Sequence, residues 1–327
     1  MNTFGRKYRI SIFGESHGKG VGITIDGCPP GIDIDTEDFN KDLNRRKSGR
    51  KGTTQRIESD KPKILSGIYQ NKSSGSPITL IFKNEDTRSQ DYKNLKNTPR
   101  PGHSDFTAKK KYMGFNDPRG GGHFSGRLTL GIVAAGVIAK KILLENNSNF
   151  MIEAKIIELA GNKNLDLALE NAIKNGDSIG GIIECRVKNL PIGLGEPFFD
   201  SIESMISHLV FSIPAIKGIE FGSGFSATKM TGEQHNDKII NKNGKTESNN
   251  SGGISGGISN GNELIFRVAV KPTSSISKKQ ETYNFENDKI DTLIIIGRHD
   301  VCIALRIPVI IEAACAIAIA DFELLTR

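Results

Sequence analysis

The sequence predicts an α+β fold in which a layer of helices lies between two mainly antiparallel β-sheets, a β-α-β sandwich. Three observations predict it: apolar residues alternate along many short segments, two long segments are apolar almost all round, and turn residues join one pair of strand segments. Because no shift in composition marks a linker, we expect residues 1–327 to form a single domain.

Alternation of apolar and polar residues predicts strands at residues 8–13, 21–25, 64–68, 78–82, 182–187, 264–270 and 293–296. The connection at residues 69–77 is rich in Ser, Gly and Asn and contains Pro77, which predicts an antiparallel hairpin between its two neighbours. A purely parallel sheet is therefore excluded. Polar loops are expected at residues 83–99, 233–253 and 278–289.

Helical patterns cover residues 37–46, 106–113, 128–144, 165–175, 201–209 and 309–325. Gly176 ends the fourth pattern, and Pro308 stands at the start of the last. Residues 128–139 and 309–320 are apolar on nearly every side, which a surface helix with one wet face does not tolerate. We expect both segments to be covered on two sides, unlike the amphipathic outer helices of a doubly wound fold.

The composition is that of a folded, basic protein. The 327 residues carry a formal net charge of +7, with 36% hydrophobic and 25% charged side chains, which excludes a disordered chain. The most apolar segment, residues 309–320, contains Glu312 and is shorter than the ~20 residues that span a bilayer, so we expect no membrane association. The N-terminal sequence has no secretory signal.

The four cysteines are widely spaced, which excludes a disulfide framework and a paired-cysteine zinc site and favours a reducing cytoplasm. They are Cys28, Cys185, Cys302 and Cys315. Since an H-E-x-x-H pattern is also missing from the sequence, we expect no metal centre.

Positive charge is concentrated at residues 41–56, where seven basic residues stand against one acid. A nucleic-acid-binding surface that also uses residues 109–111 is one interpretation of this run. No aromatic residue follows Phe39 within it, whereas proteins that bind single strands pair such charge with stacking side chains. The sequence therefore favours a small polyanionic ligand, and nucleic acid remains the alternative.

Four of the six histidines have Gly, Arg or Asp as close neighbours, a composition typical of functional loops. These candidates are His17, His103, His123 and His299. In contrast, His208 lies in a helical pattern and His235 in a polar loop, where packing or solvation explains them.

Familiar catalytic and nucleotide motifs fail when their surroundings are considered. GESHG at residues 14–18 matches the nucleophile elbow of serine hydrolases, but a second strand pattern follows it where an elbow requires a helix. The glycines at residues 222–224 are not followed by an amphipathic helix, and no P-loop pattern exists. The segment KPTSS at residues 271–275 offers an ammonium, hydroxyls and turn N–H groups, which suits a phosphate monoester as well as an ordinary strand exit.

Nine ordered motifs spread from end to end of the chain together resemble the chorismate synthase family. They are FGESHG (13–18), DLNRR (42–46), TTQR (53–56), RSQDY (88–92), RPGHSD (100–105), RGGG (119–122), GLGEP (193–197), KPTSS (271–275) and GRHD (297–300). The resemblance implies the last step of the shikimate pathway, the 1,4-elimination of phosphate from 5-enolpyruvylshikimate 3-phosphate to give chorismate. It implies reduced FMN (FMNH2) as cofactor without net redox change, and a homotetramer.

The resemblance also implies which residues act. The substrate carries a phosphate and two carboxylates, for which guanidinium groups are natural clamps. The expected clamps are Arg46, Arg100, Arg127 and one of Arg50 or Lys51. The family motifs assign protonation of the departing phosphate to His103 and stabilisation of the anionic reduced flavin to His17. Asp300, relayed with Ser16 and Ser125, would manage the proton at flavin N5.

For the flavin itself, the resemblance indicates a set of contact residues on several loops. They are His123, Phe124, Ser125, Pro214, Ala215, Gly256, Lys271, Pro272, Thr273, Ser274, Ser275 and Arg298. The sequence leaves open whether this chain reduces its own flavin with NADPH or depends on an external flavin reductase.

The chain departs from the family pattern at several positions. His123 replaces an arginine and Leu128 an acid of the common RGGGRSSARET motif, which puts the flavin contacts there in question. Val301 stands where a proline usually follows the GRHD aspartate, and residues 145–176 are shorter than in typical members. Neither of the last two changes removes a residue with an implied chemical role.

Overall fold

The protein is a sandwich of two antiparallel sheets with a helical layer between them, as the sequence predicts. The structure is a computed structural model that describes residues 2–87, 97–295, 297 and 299–326. Its strands are β1 Thr3–Phe4, β2 Arg9–Gly14, β3 Gly20–Asp26, β4 Lys63–Ser66, β5 Ile68–Tyr69, β6 Lys72–Ser73, β7 Ile78–Lys83, β8 Met151–Leu159, β9 Gly181–Lys188, β10 Ile216–Phe221, β11 Ile254–Ser255, β12 Ile258–Ser259, β13 Leu264–Val270, β14 Gln280–Asn284 and β15 Lys289–Leu293.

Seven α-helices lie within the described residues, and short 3₁₀ turns extend several of them. The helices are α1 Asn40–Arg46, α2 Asp105–Lys111, α3 Thr129–Asn146, α4 Leu165–Lys174, α5 Ile202–Phe211, α6 Gly232–His235 and α7 Pro308–Leu325. None of the helices in this part of the chain combines the length and apolar character that crossing a bilayer requires.

The first sheet has the strand order β1-β2-β3-β7-β4, with every neighbouring pair antiparallel. In β3 the side chains of Val21, Ile23 and Ile25 are buried, and the strand packs against α3. Ile64 pairs with Leu80, which confirms the predicted hairpin, although the two-stranded ribbon of β5 and β6 occupies part of the connection predicted as a turn. The period-two pattern of β3 thus places its apolar side on the helical layer.

The second sheet has the order β10-β13-β9-β8 and is also antiparallel throughout. Helix α7 packs against β8 and β9, while α5 packs against β10 and α7. Cys185 and Phe266 face each other in register and are fully buried. The second sheet therefore covers the side of the helical layer opposite to the first.

Helices α3 and α7 form the centre of the sandwich and pack directly against each other. A Cβ atom added at Gly136 would lie 2.3 Å from the Cβ and 2.5 Å from the Cα of Ala313. The helices approach this closely only because the glycine has no side chain. Their burial on all sides confirms that both segments are core helices.

A buried ion network connects the helical layer to α1. Glu312, on α7, is 2% exposed and accepts two hydrogen bonds of 2.7 Å from Arg45 and one of 3.2 Å from Lys140. The backbone N–H of Ala154 in β8 also donates to Glu312, at 2.9 Å. A buried carboxylate is tolerated only when it is paired in this way, so the network fixes the position of α1 against α3 and α7.

A second buried carboxylate ties the last helix to the start of the chain. Asp321, near the end of α7, is 1% exposed. It accepts backbone hydrogen bonds from Arg6 at 3.0 Å, Lys7 at 2.6 Å and Tyr8 at 2.8 Å. These three successive N–H groups surround the carboxylate as they would surround a bound anion.

The sequence does not predict two strands of the second sheet, nor the hairpin that β14 and β15 form. β8 and β10 were not expected, and residues 278–289, predicted as a polar loop, include β14. The strand predicted at 293–296 instead ends at Leu293, with Ile296 outside the described residues. β8 and β10 are edge strands with partly exposed side chains, so their apolar alternation is weak.

The contact between Gly136 and Ala313 predicts a specific stability effect. Gly136→Ala should lower the free energy of unfolding by about 1–3 kcal/mol, since the added methyl group forces α3 and α7 apart. Urea denaturation would measure the change. Gly232→Ala is the matched control because an added Cβ there meets no atom within 4 Å; equal stability of the two variants would contradict the packing argument.

Candidate active site

A cavity of about 200 Å³ lies where loops from both sheets meet the ends of α1, α3 and α7. Its lining is unusually rich in charge, with six cationic and three acidic side chains. They are Arg46, Lys47, Arg56, Arg100, Arg127 and Arg306, with Glu58, Asp60 and Asp300. An excess of cations around one cavity favours a ligand with several negative charges.

Arg46 and Arg127 share the buried carboxylate of Asp60. Arg127 Nη1 donates to Asp60, and Arg46 Nη1 lies 3.5 Å from the other oxygen. Arg46 is 1% exposed and also donates from Nε to Thr129 at 3.0 Å and from Nη2 to Gly126 O at 2.9 Å. Burial, and next the charge of Arg306, lower the pKa of Arg46 to about 9, so it remains charged at neutral pH.

Arg100 and His103 converge on Asp105. Arg100 makes a bidentate interaction with this carboxylate, donating from Nε at 2.7 Å and from Nη2 at 2.8 Å. It also donates from Nη1 to Ser275 at 3.2 Å. His103 Nδ1 lies 2.6 Å from Asp105 Oδ1. Burial alone would raise the pKa of Asp105, but the hydrogen bonds from Arg100 and His103 lower it well below its ordinary value. The Asp105 carboxylate is therefore ionised and joins Arg100 to the His103 ring.

Three consecutive glycines separate the two imidazoles at the cavity. Gly120, Gly121 and Gly122 have φ values of 62°, 90° and 53°, in the left-handed region that favours glycine. A Cβ at Gly120 would lie 2.2 Å from the ring of His17, and one at Gly121 would lie 3.5 Å from the ring of His103. The RGGG motif therefore lets both rings approach one short stretch of backbone.

His17 is surrounded by positive charge. It is 8% exposed, and burial, followed by the charges of Arg56 and Arg119, lowers its pKa from 6.5 to about 4. Arg56 also donates to Ser16 Oγ at 2.8 Å and is itself held by Glu58 at 2.6 Å. His17 is consequently neutral at pH 7 in the ligand-free protein.

One wall of the cavity is apolar, in contrast to the arginines on the other. It consists of Pro214, Ile303, Ile307 and Ile310. Thr273 also lines the cavity, and its hydroxyl is buried without a hydrogen-bond partner among the described residues. A buried hydroxyl in this state requires a partner from a bound molecule or water.

The structure brings many of the predicted site residues together. Ser16, His17, Arg46, Arg100, Ser125, Arg127, Pro214, Thr273 and Asp300 line the cavity. His103 lies directly beside it through Arg100 and Gly121. Lys271 and Ser274 both donate to Gly102 O, at 2.6 Å and 2.7 Å, which fastens the KPTSS segment to the loop before His103.

Other predicted residues lie apart from the cavity lining. Arg50 donates to the carbonyl of Arg45, and Lys51 pairs with Glu170. His123 contacts Gly14 O at 2.9 Å and Asn2 Oδ1 at 3.0 Å, so its ring is held at the start of the chain. Also outside the lining are Phe124, Ala215, Gly256, Pro272 and Ser275. Arg298 and the RSQDY motif lie outside the described residues.

Sequence reasoning identified Asp300 but missed the other acids and two of the arginines of the site. Glu58, Asp60 and Asp105 were given no role, and Arg56 and Arg306 were not among the expected clamps. Arg56 belongs to the TTQR motif, which was a usable signal, whereas Glu58 and Asp60 are indistinguishable in sequence from solvated loop acids. His299, one of the four candidate histidines, lines the cavity as well.

The basic run at residues 41–56 contributes three of its seven cations to this cavity, Arg46, Lys47 and Arg56, while Lys41, Arg50 and Lys51 are exposed. Arg45 pairs with Glu312, Arg46 is buried, and Arg56 binds Ser16 and Glu58. Three of its cations are therefore already engaged inside the protein. In the part of the chain that the structure describes, no three His, Cys, Asp or Glu side chains are grouped to hold a metal ion.

The fold and cavity define an enzyme that acts on a small polyanionic molecule, and comparison with known proteins specifies which. The chorismate synthase family model matches residues 8–324. Chorismate synthase of Chitinophaga pinensis is 58% identical over 327 residues, covering 100% of this chain and 98% of the relative. Chorismate synthase of Thermococcus kodakarensis is 42% identical over 346 residues, covering 99% and 98%.

A solved structure described as a crystal structure of chorismate synthase superposes with a TM-score of 0.76 at 26% identity, covering 99% of this chain and 93% of that one. The chain belongs to the chorismate synthase family. It is a lyase of the shikimate pathway that eliminates phosphate from 5-enolpyruvylshikimate 3-phosphate to form chorismate. The end-to-end motif resemblance and the α+β sandwich are thereby confirmed.

The environment of His17 predicts how its ring titrates. In the ligand-free protein, NMR of the imidazole should give a midpoint near pH 4, the value set by burial and by Arg56. Saturation with substrate in the absence of flavin should raise the midpoint by about one unit or more, because an anion offsets the neighbouring cations. His17→Gln identifies the resonance, and a ligand-free midpoint at 6.5 or above would refute the argument.

The lowered pKa of His17 also predicts how the stability of the protein depends on pH. Since the unfolded chain takes up this proton near pH 6.5 and the folded chain only near pH 4, the free energy of unfolding should fall as the pH is lowered between those values. Denaturation of wild type and His17→Gln across this pH range would measure the free energy of unfolding. The free energy of unfolding of the variant should depend less on pH than that of wild type.

Proposed function

We propose that the cavity binds the enolpyruvyl phosphate substrate and that His103 donates a proton to the departing phosphate. The observation that carries this proposal is the placement of His103 and His17 on two adjacent glycines beside a cavity lined by five arginines. Anaerobic incubation with reduced FMN and substrate, following phosphate release and chorismate absorbance together, tests it.

Arginines on several sides of the cavity are suited to hold the phosphate and carboxylates. A guanidinium has five N–H groups in a planar fork that matches carboxylate and phosphate oxygens, and Arg46, Arg100 and Arg127 all line the cavity. We propose these three as clamps. Arg50 or Lys51 remains the fourth candidate, and either would first have to leave Arg45 O or Glu170.

The contacts of His103 support its role as general acid. Its Nδ1 lies against Asp105, so a proton carried by the ring is transferable from Nε2, the nitrogen that faces Gly121. Arg100 fixes the Asp105 carboxylate with two hydrogen bonds, and this carboxylate in turn holds the orientation of the His103 ring. Histidine is a suitable acid at neutral pH without extreme tuning.

His17, Ser16, Ser125 and Asp300 are proposed to manage charge and protons on the cofactor side. His17 is neutral in the free protein and becomes protonated more readily when a negative group enters beside it. The hydroxyl of Ser16 accepts from Arg56, and that of Ser125 accepts from the backbone N–H of Arg127 at 3.2 Å. Both hydroxyls line the same cavity as Asp300, as a proton relay requires.

The residues present fit a flavin, which the family implies. The apolar wall suits a flat ring system, and the buried Thr273 hydroxyl offers a hydrogen bond to it. Bound reduced FMN would supply an electron and accept the hydrogen that leaves the substrate ring. We propose Thr273 and Pro214 as contacts of the ring system, with Lys271 and Ser274 near its phosphate; His123, Phe124, Ala215, Gly256, Pro272, Ser275 and Arg298 remain predictions.

We further propose a cytoplasmic homotetramer. Phe198, Phe199 and Phe225 are 87%, 93% and 80% exposed in one chain, an amount of bare aromatic surface that favours contact with further copies. The four cysteines are free and buried, which suits a reducing compartment. Replacing reduced FMN by oxidised FMN and NADPH in the assay separates a chain that reduces its own flavin from one that needs an external reductase.

Loss of the proposed acid should slow the chemical step. His103→Ala should lower kcat by about 10²-fold or more, measured as chorismate formation with reduced FMN, because the departing phosphate loses its proton donor. His235→Ala, at the partly exposed end of α6 and outside the cavity lining, is the matched control and should retain wild-type turnover. A His103→Ala enzyme with near-normal kcat would remove the assigned role.

The Thr273 hydroxyl should matter for cofactor binding. Thr273→Val keeps the shape of the side chain and should weaken FMN binding about 5-fold, roughly the loss of one hydrogen bond of ~1 kcal/mol, measured by flavin fluorescence. Thr246→Val is the control. Thr246 also has a buried hydroxyl without a hydrogen-bond partner among the described residues, but it does not line the cavity. Equal affinities of both variants would contradict the proposed contact.

A further inference from the structure

Arg306 is a cavity residue that neither the motifs nor the family resemblance singled out. It ends the short 3₁₀ helix Ile303–Arg306 immediately before α7, and its side chain is 16% exposed. It lines the same cavity as Arg46 and Asp300.

The guanidinium of Arg306 connects two residues with proposed roles. Its Nη1 lies 3.2 Å from Asp300 Oδ2 and 3.4 Å from Oδ1, and its Nε donates to the carbonyl of Arg46 at 3.1 Å. Asp300 has one further described contact, at 3.0 Å from the backbone N–H of Thr54 to Oδ1. Arg306 therefore joins the GRHD loop to the end of α1, where Arg46 enters the cavity.

We propose that Arg306 is a positioning residue that orients the Asp300 carboxylate toward the reacting groups. The Thr54 N–H alone holds one oxygen and leaves the carboxylate able to rotate about that contact. A planar guanidinium near both oxygens, anchored at its other end by the Arg46 carbonyl, removes this freedom. The inference rests on the proton-handling role proposed above for Asp300.

A direct substrate contact by Arg306 is the competing role, and it differs in its kinetic effect. A clamp that holds the substrate contributes to the ground state, so its loss raises KM. A residue that acts through Asp300 contributes to the step in which Asp300 takes part. Its loss lowers kcat and adds nothing once Asp300 is already disabled.

The test compares Arg306→Gln, Arg306→Lys, Asp300→Asn and the double variant Arg306→Gln/Asp300→Asn, in the anaerobic assay with reduced FMN. We expect Arg306→Gln to lower kcat about 30-fold with KM within about 3-fold of wild type, and the double variant to lie within about 3-fold of Asp300→Asn. Arg306→Lys keeps the charge near Asp300 and should have a kcat at least about 3-fold above that of Arg306→Gln.

Arg267→Gln is the matched control, because Arg267 is held by Glu184 at 2.9 Å and Glu220 at 3.3 Å outside the cavity, and its kcat should remain that of wild type. A KM increase with unchanged kcat in Arg306→Gln, or effects that multiply in the double variant, would overturn the inference. Normal turnover of Arg306→Gln beside a slow Asp300→Asn would also overturn it, whereas normal turnover of Asp300→Asn would instead remove the proposed role of Asp300. If Arg306→Gln does not fold, the kcat and KM of Arg306→Lys decide by the same criteria.

Discussion

The pairing of each cavity arginine with a nearby carboxylate is the constraint on which the site depends. Several guanidinium groups cannot be gathered in a partly buried space without counter-charges, because desolvation and mutual repulsion would be too costly. Asp105 neutralises Arg100, Glu58 neutralises Arg56, and Asp60 lies between two further arginines. These carboxylates offset only part of the positive charge around the ligand-free cavity, and an incoming polyanion competes with groups that are already in place.

Helix α1 places two adjacent arginines in different environments. Arg45 binds the buried Glu312 within the helical layer, while Arg46, one residue later, enters the cavity. Because α1 is only seven residues long, the ion pair between Arg45 and Glu312 also fixes the direction of the Arg46 side chain. A change at Glu312 would therefore be felt in the cavity without any contact to a ligand. Two adjacent glycines are used in a similar way, because Gly120 lies against the ring of His17 and Gly121 against the ring of His103.

The sequence was sufficient for the centre of the fold, and it indicated Arg46, Arg100 and Arg127 among the cations of the site. Two segments that are apolar on nearly every side predict inner helices covered on both sides, and a sheet on each face is the simplest such arrangement. Edge strands such as β8 gave no comparable signal, since partial exposure blurs the alternation. His17 and His103 were recognisable from their motifs, but Glu58 and Asp60 acquire meaning only through the arginines that folding brings to them. His123 was expected at the flavin, and its contacts with Gly14 and Asn2 depend on a tertiary approach that spacing does not encode.

The position of α7 has a consequence for biogenesis. This helix follows every other described element in sequence, it fills the middle of the molecule, and its Asp321 binds residues 6–8. Strands β8 and β9 pack against α7 but are synthesised before it, so they cannot bury their apolar faces on it until residues 308–325 have left the ribosome. Domains that can condense from the N-terminus avoid this delay.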